Sequence, residues 1–419
     1  MKAGRGALLV LLAALLLLAG GCAWWGAPIN PRDSGSLPAG GLLATASPDT
    51  LQVVEERLTI TAVGDLLMHL PLVRAAATGS GYDFRPLFAP VATELQRGDI
   101  TIANLETTLA GEAAGYSGYP LFNTPDALLD ALIDSGVTML TTANNHALDR
   151  GASGLRRTLS VIREAGLDVT GTRLEPDEPP YAIVTAKGFR VAVLAYTYGT
   201  NGIPVPEPHL INLIDKEAIA RHIELARTEE PDLLMVAMHW GQEYSRQPSR
   251  EQRELARFLH QLGVDVVLGA HPHVVQPAEI LWPEPGNAGH GRPTVVIYSM
   301  GNFVSNQQFP YTDTGIIVHV TYKMRQAGDE PPRIILEEVA YRPVWVHRWH
   351  QGGLTRYQAV LTGDPSAALP ALATGDLQRL EEAHRETVDL LGPSPLYKRG
   401  LPLPPACTFA GSTPLDCPL

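Results

Sequence analysis

Between residues 58 and 298 the chain alternates short apolar runs with longer amphipathic stretches. Runs rich in β-formers occur at 58–63, 100–103, 137–142, 190–196, 233–238, 264–268 and 294–298, and each is short enough to be a single strand. Apolar residues recur at helical spacing over 125–135, 154–165, 216–227 and 250–262. Thr124 before Pro125, with Asp126 next, has the order of an N-cap followed by proline at the first helical position. Strands alternating with helices predict an α/β domain with much parallel pairing. After Gly315 the pattern becomes β-rich over 315–323 and 333–341, with Gly328 and Asp329 in the turn between them. These segments are expected to finish a second sheet. A last helix is predicted over 376–391, ahead of a proline-rich tail, and no internal repeat is visible.

The ends of the chain read differently. Lys2 and Arg5 precede an apolar run over 7–19, followed by Gly20, Gly21 and Cys22. A charged start, a short apolar core and small residues describe a secretory signal, too short for an ordinary spanning helix. Residues 1–22 resemble a bacterial lipoprotein signal with Cys22 as the lipid-bearing residue, although Ala19 stands where leucine is usual and Leu18 lies one place earlier. Ordinary secretion with an incidental cysteine, or an uncleaved anchor, is the alternative. Residues 23–57 are rich in Gly, Pro, Ala and Ser without apolar periodicity, as expected of a tether. The remaining cysteines, Cys407 and Cys417, are expected to pair if the chain is exported, or else stay as two thiols in the tail.

Composition narrows the function. A hydrophobic fraction of 45% with 18% charged residues is that of a globular protein. The net charge of −12 argues against a non-specific nucleic-acid binder.

The candidate chemistry lies where the β-runs end. The first run leads into Gly64-Asp65, with His69 beyond; the second into Asn104-Leu105-Glu106; the third into Asn144-Asn145-His146, then Asp149. The 233–238 run delivers His239-Trp240-Gly241 and Glu243, the 264–268 run delivers His271-Pro272-His273, and the 294–298 run leads toward Gly301-Asn302. Open α/β sheets bind ligands beyond the carboxyl ends of their strands, so these side chains are expected to converge. Imidazole and carboxylate donors without thiolates suit Zn, Mn or Fe. A carboxylate shared by two cations holds them roughly 3.5–4 Å apart. Singly, each residue has a bland reading: Asp65 as a helix cap, Asn144-Asn145 as a turn, His239 as a core histidine.

The motifs Ala62-Val63-Gly64-Asp65, Ala103-Asn104-Leu105-Glu106, Asn144-Asn145-His146-Ala147-Leu148-Asp149, His239-Trp240-Gly241-Gln242-Glu243-Tyr244, Gly269-Ala270-His271-Pro272-His273 and Ser299-Met300-Gly301-Asn302-Phe303 together resemble the bacterial capsule-synthesis proteins of the CapA type, associated with poly-γ-glutamate. The resemblance implies a calcineurin-like metallophosphoesterase fold, a β-sandwich core flanked by helices in four layers, α/β/β/α. It places that domain over 58–325, with 326–419 adding a β-rich completion, a helix and the tail. It implies one or two divalent metal ions held by Asp65 as a shared ligand, Glu106 at the bridging position, Asn145, His239 and His271 on one ion and His273 on the other. His146 takes the place of the histidine that assists the leaving group, and Asp149 orients it. The family pattern has Asp-x-His at the first strand, whereas Leu66-Leu67-Met68 separates Asp65 from His69 here, which leaves the reach of His69 open. Glu243 and Asn302 are candidates for touching substrate.

What this implies is an extracytoplasmic, lipid-anchored protein of capsule synthesis or export, acting beside a polymer synthase or exporter. An anionic polymer or a phosphorylated molecule is its expected substrate. The alternative is a non-catalytic membrane partner whose metal site is structural or vestigial.

Overall fold

The computed structural model describes residues 53–283, 291–328, 330–363 and 372–399. The expected signal with Cys22, residues 23–52 of the expected tether, and Cys407 and Cys417 lie outside these residues; the last five tether positions, 53–57, are instead the start of a strand paired along its length.

In chain order the strands are β1 (Val53–Leu66), β2 (Ile100–Leu105), β3 (Met139–Thr141), β4 (Asp168–Thr170), β5 (Tyr181–Ala186), β6 (Phe189–Thr197), β7 (Leu233–His239) and β8 (Val266–Ala270). They continue with β9 (Ala278–Leu281), β10 (Thr294–Ile297), β11 (Asn302–Val304), β12 (Thr314–Ala327), β13 (Arg333–Gln351), β14 (Leu354–Leu361) and β15 (Tyr397–Lys398). The first sheet runs β14-β13-β12-β1-β2-β3-β4, with β11 beside β1 and β15 beside β13; the second runs β5-β6-β7-β8-β10-β9. β1 to β4 are parallel, as are β6, β7, β8 and β10, so each sheet sends a set of carboxyl ends in one direction.

Two-sided burial explains the continuous apolar runs of these strands. On β1 and β2, Leu58, Ile60, Ile100 and Ile102 face the second sheet, where they meet Val191, Val193, Met235 and Val266. The opposite faces carry Val63, Ala103 and Leu105 into the helix layer that includes Leu128, Leu132 and Ile162. The far face of the second sheet, with Leu194, Tyr196 and Val236, is covered by Ile219 and Ile223 of the helix Lys216–Arg227 and by Leu255 and Leu259 of the helix Arg250–Gln261. The result is helix, sheet, sheet, helix, the four-layer order that the resemblance implies. Local chemistry sets the helix ends. Asp215 accepts from the Ala218 amide, and Ser249 with Gln252 forms a reciprocal capping box.

The C-terminal strands lie elsewhere than expected. β12 pairs antiparallel with β1 from Val53↔Ala327 to Val63↔Ile317, and β13 and β14 extend that same first sheet. A β-period alone does not say which sheet a strand joins; the long ladder with β1 decides it. The boundary read at 325–326 therefore falls inside β12. The helix Thr374–Leu391 packs Leu380 and Ala383 against Trp345 of β13 and Val360 of β14. No helix among the described residues is long and apolar enough to cross a membrane.

One buried polar chain ties the first sheet to its helices. Thr61 on β1 lies 2.9 Å from Nδ1 of His319 on β12, and His319 Nε2 lies 2.8 Å from Glu94 in the short helix Ala92–Leu95. The hydrogen bond from His319, aided by Arg97, holds the Glu94 carboxyl down to about 2. A depressed carboxylate contributes stability in full above its unfolded value, near 4.5, and loses it as pH falls through about 2. Glu94→Gln is expected to cost about 1–3 kcal/mol near neutral pH and to flatten the acid limb of stability. Urea titrations between pH 2 and 7 measure both effects, and an unchanged acid limb would refute the assignment.

Candidate metal centre

The centre is assembled by strand ends of both sheets. In β1 the register with β2 steps from Val63↔Ala103 to Asp65↔Asn104, so Gly64 is an extra residue that re-aims the aspartate. A Cβ at Gly64 would stand 1.9 Å from the Gly301 carbonyl oxygen, the atom that accepts the Asp65 amide at 3.0 Å. Across the core, a Cβ at Gly269 would meet the Tyr298 carbonyl oxygen at the same 1.9 Å. Both ligand turns therefore need glycine at their roots. His271 and His273, on either side of Pro272, have φ of +96° and +59°, a conformation that side chains other than glycine adopt rarely.

These turns bring the predicted ligands together. His273 Nδ1 lies 3.0 Å from Asp65 Oδ2 and its Nε2 3.9 Å from Glu106 Oε1. His239 Nε2 lies 2.9 Å from Asn145 Oδ1 and 3.5 Å from Glu106 Oε1. Donor atoms fall into three overlapping groups, each within 4.8 Å: Glu106, His239 and His271; Asp65, Glu106 and His273; and Glu243, His271 and His273. Glu106 is the carboxylate common to two groups, whereas Asp65 belongs to one.

Glu106 shows best what the centre requires. It is fully buried, and neither of its carboxylate oxygens has a hydrogen-bond partner. Burial, with Asp65 and Glu243 nearby, pushes its pKa well above the usual carboxylate range. Burial, and then the neighbouring imidazoles, pushes His239 well below the ordinary histidine value and His271 down to about 3. Neutral imidazoles and an uncompensated carboxylate are what a divalent cation needs, so the donor set fits one.

The remaining candidates divide. His146 Nδ1 donates to Asp149 Oδ2 at 2.8 Å, and the same oxygen accepts the Phe122 amide at 2.6 Å. His69 belongs to none of the three donor groups; its Nδ1 lies 3.1 Å from the Leu67 carbonyl oxygen and accepts from the Asn306 amide. Burial lowers its pKa to about 4. Glu243 is exposed, within reach of His271 and His273. Asn302 is fully buried; its Nδ2 donates to Gln307 Oε1 and to the Thr312 carbonyl oxygen, holding the loop that walls the cleft, and its Oδ1 has no hydrogen-bond partner.

Other residues support the centre without a predicted role. Asn104 Nδ2 donates to Asp65 Oδ1 at 2.8 Å and lies 3.3 Å from His239 Nδ1. Asn144 binds the Leu105 carbonyl oxygen and caps the His146 amide. Both stand inside the quoted motifs, so position was their signal. Tyr198 stacks on His239 and sits 4.6 Å from the His271 ring, and Asn201 accepts from Asn145. They follow β6, where no metal-type residue marks the site.

The model of the family described as bacterial capsule synthesis protein PGA_cap matches residues 59–307. The chain belongs to this family. It is 29% identical over 283 residues to the capsule biosynthesis protein CapA of Bacillus anthracis, covering 65% of each chain. To the PGA biosynthesis protein CapA of Bacillus subtilis (strain 168) it is 30% identical over 226 residues, 51% of this chain and 54% of the relative. The chain thus matches between about half and two-thirds of the length of these PGA_cap relatives. Among solved structures, the NAD nucleotidase of Haemophilus influenzae aligns with a TM-score of 0.42 at 13% identity, over 81% of this chain and 68% of that one.

Replacing Glu106 by glutamine tests this PGA_cap centre. The metal-free variant is expected to be more stable than metal-free wild type by about 1–3 kcal/mol, because an unpaired buried carboxylate is removed. It is also expected to lose the rise in melting temperature that added Mn²⁺ or Zn²⁺ gives wild type. Calorimetry with and without metal reads both; an undiminished metal response in the variant would exclude Glu106 as a ligand.

Proposed function

We propose that this protein is a cell-surface member of the PGA_cap family that serves poly-γ-glutamate capsule synthesis or export through a metal-dependent, phosphoesterase-type hydrolase centre. The observation that carries this reading is the shared Glu106 carboxylate between two donor groups, with the His146–Asp149 pair beside it. Asp65, Glu106 and His273 would hold one ion, and Glu106, Asn145, His239 and His271 the other, of Mn, Zn or Fe. When bound, such ions supply Lewis-acid charge that polarises a phosphoryl group and lowers the pKa of a water toward neutrality.

The chain's own residues do the rest. Asp149, accepting from Nδ1, fixes the His146 tautomer and the orientation of its ring. His146 lines the cleft with Asn145, Asn201 and His273, its Nε2 beside Asn201, and from there it would give a proton to a departing alkoxide. His239 and Glu106 are themselves buried, which keeps bulk water from them and strengthens the field of the centre. At the amino end, lipid on Cys22 and the Gly/Pro/Ala-rich segment that follows it would keep the domain on the outer face of the membrane, beside a polymer synthase or exporter.

His146→Ala is expected to lower kcat toward a model phosphodiester by about 10²–10⁴-fold with metal content unchanged, and Asp65→Ala to lose both metal and activity. Metal analysis and steady-state kinetics on the same preparations check this. Full metal occupancy in wild type without turnover of any phosphoester, while Asp65→Ala abolishes capsule, would make the centre structural. Separately, Cys22→Ser is expected to move the protein from membrane to soluble fraction, and an unchanged membrane fraction would refute the anchor.

A further inference from the structure

The cleft beside the metal centre has a volume of about 790 Å³, far more room than a phosphoryl group fills. It lies within the range of small-molecule sites, roughly 300–1,000 Å³. Its lining therefore selects whatever carries the phosphoryl group. Among the described residues that line it there is no lysine or arginine, and apart from the histidines the one charged side chain is Glu243. A chain with a carboxylate on every unit would meet an acidic wall there, on a protein of net charge −12. Such a chain is held by arrays of Arg and Lys, and none is among the described residues that line the cleft.

What the cleft offers instead is carboxamides and exposed rings. Gln308 is exposed at the rim, and Asn201 stands next to His146. Tyr244 and Phe309 pack against each other with centroids 4.7 Å apart, yet remain 39% and 56% exposed; Tyr119 is 76% exposed. This wall is tied to the metal loop, because the Tyr244 amide donates to the Pro272 carbonyl oxygen at 2.8 Å. Rings of this kind cover the C–H face of a sugar, and carboxamides both donate to and accept from its hydroxyls.

We propose that the cleft binds the uncharged, hydroxyl-rich glycosyl portion of a phosphorylated saccharide, with its phosphoryl group toward the metal centre, and that the anionic polymer is not its ligand. The inference rests on the phosphoesterase-type reading for the orientation of that phosphoryl group. Any hydrolysis adds water across the P–O bond, giving the free sugar hydroxyl and phosphate, with His146 returning a proton to the sugar oxygen.

The test is calorimetric binding to the full-length, metal-loaded protein. The probes are glucose 1-phosphate, N-acetylglucosamine 1-phosphate, methyl phosphate and a γ-glutamate oligomer. At least one sugar phosphate is expected to bind tenfold or more tightly than methyl phosphate. Phe309→Ala and Gln308→Ala should each erase at least fivefold of that advantage, leaving methyl phosphate affinity and metal content unchanged. Sugar phosphates no tighter than methyl phosphate, variants that bind them undiminished, or an oligomer that displaces them in a salt-sensitive way would each overturn the proposal. Binding is read without turnover, so the two readings can fail separately. Sugar-selective binding with no hydrolysis refutes only the enzymatic reading; hydrolysis of methyl phosphate without sugar preference refutes only this one.

Discussion

A carboxylate with no partner in the middle of a protein is the constraint around which this molecule is arranged. Glu106 directly follows the parallel strand β2, with all of its surface removed from water and both oxygens unsatisfied. Such a group costs several kcal/mol unless a cation or a set of donors compensates it. The fold gives it few donors. It gives it imidazoles instead, from the opposite sheet, with their protons driven off by the same burial. The sandwich is therefore two half-sites that become one centre only when the sheets close on each other.

Closing them requires unusual backbone on both sides. The extra residue Gly64 and the left-handed histidines 271 and 273 are local departures from good strand and turn geometry. Residues held in such conformations cost about 1–3 kcal/mol each and persist where surrounding structure over-determines them. Here the surroundings are specific: β11 beside β1, the Gly301 carbonyl on the Asp65 amide, and the Tyr244 amide on Pro272. The PGA_cap motifs are the sequence record of this packing as much as of the ligands.

That explains which parts could be read in advance. Parallel strands buried on two faces give uninterrupted apolar runs, so most strands and the ligand-type residues that follow them stood out, as did the order Asp65, Glu106, Asn145, His239, His271 and His273. Sheet membership is decided by partners far away in sequence, so the place of β12 and β13 was misjudged. Asn302 also shows a structural use that its place after a β-run did not reveal, since its Nδ2 ties together Gln307 and Thr312. The cleft was illegible for another reason. Its walls come from residues near 119–122, 201, 243–244 and 306–309, each unremarkable alone, and only the closed fold makes their shared lack of cationic side chains visible.

The pairing of β1 with β12 also governs when the fold can exist. β1 is an interior strand, and its one long neighbour, β12, lies more than 250 residues further along the chain. A nascent polypeptide emerging amino end first exposes β1 long before that neighbour is made, and contacts of such high sequence separation form slowly. Until then the central strand has an open edge, the Asp65 turn has no β11 to brace it, and the two halves of the metal centre are unassembled. For any chain delivered amino end first, this topology postpones compaction until nearly all of the domain is available. Assembly of the donor groups is postponed with it, so a cation held by them would be taken up where folding finishes rather than where synthesis begins.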